Sequence, residues 1–203
     1  MSIWSDYIAA SFFYNLQNFP ETLLCGILLL SILLVSPPIL FIGIGALLTQ
    51  LVTFGIGRGI SHLSPTSSVP RFSFDGCSTG FIGQTWYRLF KNEIIFNPAQ
   101  PSIYMATIGF FAGWGFALQN LYKQEIAKGT MKKQMFVATL VLSILLLFLT
   151  FLFRIFTKCD TFLSALLGSF IGLLIGGCGC MALGYMSDRA NTNIWGTPLL
   201  KPN

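Results

Sequence analysis

Apolar positions fill long runs of this chain, and charged positions gather between them. A helix needs about 20 apolar residues to cross roughly 30 Å of hydrocarbon. Four regions meet that requirement: Leu23 to about Leu48, Ile103 to Leu121, Met135 to Phe156 and Phe162 to Met186. No Asp, Glu, Lys or Arg lies inside them except Arg154, close enough to a span end to snorkel toward the interface. The pattern predicts an all-α, polytopic transmembrane protein with about four spans.

The first region has two readings. From Leu23 to Ile56 the chain runs 34 residues without a charge, about 51 Å as a single helix, too long for one span with ordinary tilt. Ser36-Pro37-Pro38 interrupts it. Either the prolines kink one span that exits near Thr49-Gln50, or they mark the turn of a re-entrant hairpin whose first arm is only about 20 Å long. A single kinked span is the favoured reading. The chain then divides into an N-terminal interfacial segment (1–22), a proline-interrupted transmembrane region (23–60), an extramembrane loop (61–102), a span (103–121), a basic loop (122–134), two further spans (135–156 and 162–186) and a C-terminal tail (187–203).

The segments between spans suggest surface roles. Residues 1–19 contain Asp6 and no Lys or Arg, unlike the positive start of a secretory signal. Trp4, Tyr7, Ile8, Phe12 and Phe13 fit a short helix at headgroup depth. In the long loop, Ser64 to Pro70 reads as irregular chain. Gly80 to Asn97 reads as an amphipathic helix with Ile82, Trp86, Leu89 and Phe90 on one side. About 40 residues cannot bury an independent core, so this loop is expected to lie on the membrane or on a partner.

Composition agrees with the pattern. Of 203 residues, 54% are hydrophobic and 9% charged, against about 25% charged in soluble domains, and the mean hydropathy is +0.71. A disordered chain, a nucleic-acid-binding domain and a disulfide-stapled miniprotein are excluded. The net charge of +5 fits loop anchoring to headgroups. Orientation does not follow from it: counted across the spans, Lys123, Lys128, Lys132, Lys133, Arg189 and Lys201 oppose Arg58, Arg71, Arg88, Lys91, Arg154 and Lys158. The compact basic loop at 122–134 leans toward the cytoplasmic side.

A seam of small residues is the most specific signal. Ser164, Gly168, Gly172, Gly176, Cys180 and Gly184 recur every four residues, nearly in line on one helical face. Gly109 and Gly113 repeat the device in the second span. Such faces let two helix backbones approach closely, whether the neighbour comes from this chain or another.

Chemical motifs are sparse. Gly76-Cys77-Ser78-Thr79-Gly80 spells the G-x-S-x-G of a nucleophile elbow, but that setting needs a downstream His, and His62, the lone histidine, lies upstream. Asn97-Pro98-Ala99 resembles the tripeptide of aquaporin water channels, a family that uses two copies within six spans; this sequence has one. Cys178-Gly-Cys180 lacks redox C-x-x-C spacing, and one histidine makes no zinc site. Cys77 and Cys159 are separated by two crossings, emerge on one side of the membrane and could pair if that side is oxidising.

These readings point to a non-catalytic membrane protein with no cofactor and no nucleic-acid partner. Its partners would be the bilayer and other membrane subunits, or a second copy of itself. The expected role is a structural or accessory subunit that packs into or anchors a larger membrane assembly, such as a respiratory or photosynthetic complex or a viral internal membrane. The alternative is a small oligomeric channel or carrier for neutral solutes, lined by glycine faces. A lipid enzyme would need paired acids or a phosphate site near the interface, and Asp75, Glu93 and Asp188 are scattered.

Overall fold

The computed structural model describes residues 18–63, 77, 100–127 and 133–186, and every element among them is an α-helix. These are α1 (Phe19–Leu33), α2 (Pro37–Leu63), α3 (Ile103–Leu121), the short α4 (Lys123–Ala127), α5 (Lys133–Phe156) and α6 (Phe162–Met186). The expected interfacial helix around Trp4–Phe13, the amphipathic helix at 80–97 with the Asn97-Pro98-Ala99 tripeptide, and the tail at 187–203 lie outside the described residues.

The proline-interrupted region folds as two helices, which corrects the single kinked span. At the end of α1, Ser36 N–H donates to the Ser31 carbonyl at 3.1 Å and Val35 N–H donates to the Ile32 carbonyl at 3.3 Å. This paired closure is the Schellman motif that ends a helix and reverses the chain. Pro37 and Pro38 then open α2, where a missing N–H costs no helical bond. The two helices run antiparallel, with Leu28 of α1 packed on Gly43 of α2. A kink would have needed helical geometry to resume directly. Instead Val35 sits at φ 47°, in the left-handed region.

A β-branched residue there is strained by roughly 1–2 kcal/mol. Val35→Gly should therefore stabilise the detergent-solubilised protein by up to about 1 kcal/mol after glycine's extra chain entropy is subtracted, and so raise its unfolding midpoint. A lower midpoint in an SDS titration would show that the valine side chain stabilises this turn.

Three helices are long and apolar enough to cross a membrane: α2 over Pro37–Ile60, α5 over Phe136–Phe156 and α6 over Phe162–Tyr185. The fourth expected span, α3, is the correct length and uncharged, yet Tyr104, Trp114, Gln119, Asn120 and three glycines dilute its apolarity. Packing supplies the reason this is tolerated. Thirteen of its 19 residues are buried, so α3 meets α2, α5 and α6 over most of its surface. A helix screened by its neighbours does not need to be lipophilic.

Direction follows from the contacts. Gln50 of α2 donates to Thr107 Oγ1 of α3 at 3.1 Å, while Gly45 abuts Phe110 and Gly57 abuts Gln100, so α2 and α3 are antiparallel. Gly115 faces Ser143 and Tyr104 faces Arg154, which makes α5 antiparallel to α3 as well. Helix α6 runs parallel to α3, from Gly168 beside Ser102 to Gly184 beside Leu121. One apolar cluster joins Leu24, Ile42, Ala46, Phe110, Trp114, Leu118 and Cys180. A smaller one gathers Tyr104, Met105, Ile108 and Ala165 at the other end.

Candidate functional site

The glycine seam of α6 closes on α3 of the same chain. A Cβ at Gly168 would strike the Ser102 carbonyl oxygen, at Gly172 the Ala106 carbonyl oxygen, and at Gly176 the Phe110 carbonyl oxygen. The glycines of α3 answer in kind: a Cβ at Gly109 would lie 2.5 Å from the Ser169 carbonyl oxygen, and one at Gly113 would strike that of Leu173. Backbone thus meets backbone along the interface. Ser164, Cys180 and Gly184 continue the line. The Ser164 carbonyl accepts from Ser102 N–H at 3.0 Å, Cys180 is buried, and Gly184 meets the Leu121 side chain. Gly109, Gly113, Gly168, Gly172 and Gly176 come together at one intramolecular seam. None of that backbone-to-backbone surface faces outward, so Gly168, Gly172 and Gly176 leave no room for a lumen between α3 and α6.

A second constellation lies where this seam begins. The last turn of α5 ends in another Schellman closure: Lys158 N–H donates to the Ile155 carbonyl and Cys159 N–H to the Arg154 carbonyl, each at 3.0 Å. Lys158 takes the left-handed conformation at φ 55°. This reversal brings Asp160 back over Arg154, whose Nε donates to Asp160 Oδ2 at 2.7 Å. The same oxygen accepts from Ser102 Oγ, also at 2.7 Å. Ser102 caps α3 by accepting from Met105 N–H, and Thr161 caps α6 by accepting from Ser164 N–H. The Arg154 guanidinium lies 4.6 Å from the centroid of the Tyr104 ring.

Burial corrects the role expected for Arg154. Its side chain is 2% exposed and that of Asp160 is 6% exposed, so the arginine turns inward rather than snorkelling to water. A guanidinium is tolerated there because an N–H on its edge donates to a carboxylate and an aromatic ring packs against it. The arrangement ties the end of α5 to the starts of α3 and α6. Sequence reading missed Ser102, Tyr104 and Asp160. The available signal was the spacing of Arg154 and Asp160, one basic and one acidic residue flanking a short interhelical turn.

Cys159 adds a covalent tie to this end. It is bonded to Cys77 across 82 residues, with Cα atoms 5.5 Å apart, which fixes Cys77 beside the Arg154–Asp160 pair. Non-reduced protein should migrate faster than reduced protein in a denaturing gel, and Cys77→Ser or Cys159→Ser should each abolish the difference. A shift that survives either change contradicts the bond. Cys25, Cys178 and Cys180 are free thiols. Among the described residues no three His, Cys, Asp or Glu side chains gather closely enough to hold a metal ion.

Comparison with known protein families, characterised proteins and solved structures finds no match for this chain.

Proposed function

We propose that this chain is a multi-pass integral membrane protein that acts as a non-catalytic accessory subunit, packing into or anchoring a larger membrane assembly. The observation that carries the reading is the division between its inside and its outside. Arg154, Asp160 and Ser102 bond to one another at the α3–α5–α6 junction, with the Tyr104 ring against the guanidinium. The outward faces of α5 and α6 carry large apolar side chains along their length, from Val137 through Phe148 to Phe156 and from Leu163 through Phe170 to Tyr185. Such surfaces suit lipid and flanking membrane helices. The glycine seam stabilises the subunit itself, and partner contacts fall to these outer faces.

In this reading α3, α5 and α6 cross the bilayer in alternating directions, while α1 and α2 form a hairpin that enters from the end of the bundle holding Arg154 and Asp160. The Cys77–Cys159 bond supports one orientation where the balanced charges favour neither. Disulfides persist in oxidising compartments, so the end of the bundle holding Arg154 and Asp160 faces the lumenal, periplasmic or extracellular side. The basic loop at 122–134 then faces the cytoplasm, in accord with the excess of Lys and Arg in cytoplasmic loops.

Gentle detergent extraction, followed by identification of everything that co-purifies, tests the role. A reproducible set of membrane partners is the expected result. A protein that purifies alone and carries neutral solutes across liposomes would replace the reading with a channel. Trypsin added to sealed inside-out vesicles should cut within 122–134, and protection of that loop would reverse the orientation.

A further inference from the structure

We infer that the turn between α1 and α2 is an interaction surface for lipid: it is solvated by acyl chains of the bilayer, not by water and not by another protein. The inference rests on the membrane reading above and adds the surroundings of a connection that would ordinarily be a polar loop.

Charge is the first observation. Between Glu21 and Arg58 no residue is ionisable as an acid or base other than Cys25. The other two described connections are unlike it: Lys123, Glu125 and Lys133 flank the one after α3, and Lys158 and Asp160 occupy the one after α5.

The second observation is the shape of the exposure. Leu29, Leu30, Ile32, Leu33, Leu34 and Val35 are all exposed, from 49% at Leu30 to 84% at Val35. Four of them are consecutive, and successive residues of a helix point about 100° apart. The bare surface therefore spreads over the outer part of the tip rather than forming a narrow stripe, with Ser31 and Pro38 buried on the inner side. A protein groove covers one side of such an element, whereas a solvent of acyl chains covers every exposed side.

The third observation is the backbone. A turn in hydrocarbon must satisfy its own polar groups, because no water is present to do so. Here Leu34, Val35 and Ser36 donate their N–H groups to the carbonyls of Leu30, Ile32 and Ser31. Helix α2 would normally open with several unpartnered N–H groups, but its first two residues, Pro37 and Pro38, have none, and Leu40 N–H donates to the Ser36 carbonyl. Ser31 turns its hydroxyl inward to the Leu28 carbonyl at 2.7 Å. The turn thus pairs the N–H groups of Leu34, Val35, Ser36 and Leu40 within itself while presenting apolar side chains on its outer side.

Spin labels distinguish the three possible surroundings. In a background with Cys25, Cys178 and Cys180 replaced by Ala and the disulfide retained, single labels are placed by Leu33→Cys, Val35→Cys, Phe148→Cys on the outer face of α5 and Lys123→Cys. The protein is reconstituted into phosphatidylcholine liposomes, and collisions with oxygen and with a water-soluble nickel chelate are measured. The expected result is that Leu33 and Val35 match Phe148, with frequent oxygen and rare nickel collisions. Nickel access like that at Lys123 would place the turn in water and overturn the inference. Shielding from both reagents would place it against protein, with the same consequence. Nickel access at Phe148 as well would instead remove the membrane reading on which the inference stands.

Discussion

Gly172→Ala should destabilise the protein by about 1–3 kcal/mol in a denaturant titration in micelles, a large cost for one methyl group. The added Cβ would collide with the Ala106 carbonyl oxygen and lie 2.7 Å from Phe110 N. Both obstacles are backbone, so no rotamer change relieves them, and α3 and α6 must move apart. Separation costs dispersion contacts along the whole seam, the principal source of helix association in lipid. Gly172→Leu should be worse still and should prevent recovery of a monodisperse protein. Gly55→Ala is the internal control. Nothing lies within 4 Å of a Cβ at that position, and alanine is the better helix former by up to about 1 kcal/mol, so stability should hold or rise. Equal losses at Gly172 and Gly55 would show that the seam is not a close backbone contact.

The second large effect is expected at the Arg154–Asp160 pair. Asp160→Leu should cost about 3–5 kcal/mol, because it leaves a guanidinium buried without its carboxylate. It also removes the acceptor of Ser102 Oγ. Arg154→Met strands the carboxylate instead and should cost a similar amount. The double substitution should recover much of either loss, since two apolar side chains of similar reach remove both desolvated charges together. Additive losses in this cycle would mean that the two side chains do not act as a pair.

Much of the architecture was legible in residue order. The charge-free runs located α5 and α6 closely, and the four-residue spacing of Ser164, Gly168, Gly172, Gly176, Cys180 and Gly184 marked a face that backbone packing requires. The pattern could not say what that face meets, because close approach has the same signature whether the neighbour lies in the same chain or another. Ser36-Pro37-Pro38 marked an interruption, yet kink and reversal look alike in one dimension. The outcome turned on Val35, a residue that composition rules would not place in a left-handed turn. Arg154 shows the same limit. Near a span end it resembles a snorkelling side chain, and its partner Asp160 becomes visible only when the helix terminus folds the chain back on itself.

Residue order alone therefore determined the helices and the apolarity that makes three of them long and apolar enough to cross a membrane. Burial of apolar side chains and satisfaction of backbone bonds within helices are local demands, met segment by segment. Tertiary structure decided the pairing: that α3 lies at the centre with its glycines against those of α6, that α1 returns beside α2, and that one carboxylate joins Arg154 to Ser102. Those choices depend on distances between residues tens of positions apart, and helices of similar length and apolarity carry no label saying which neighbour they will meet.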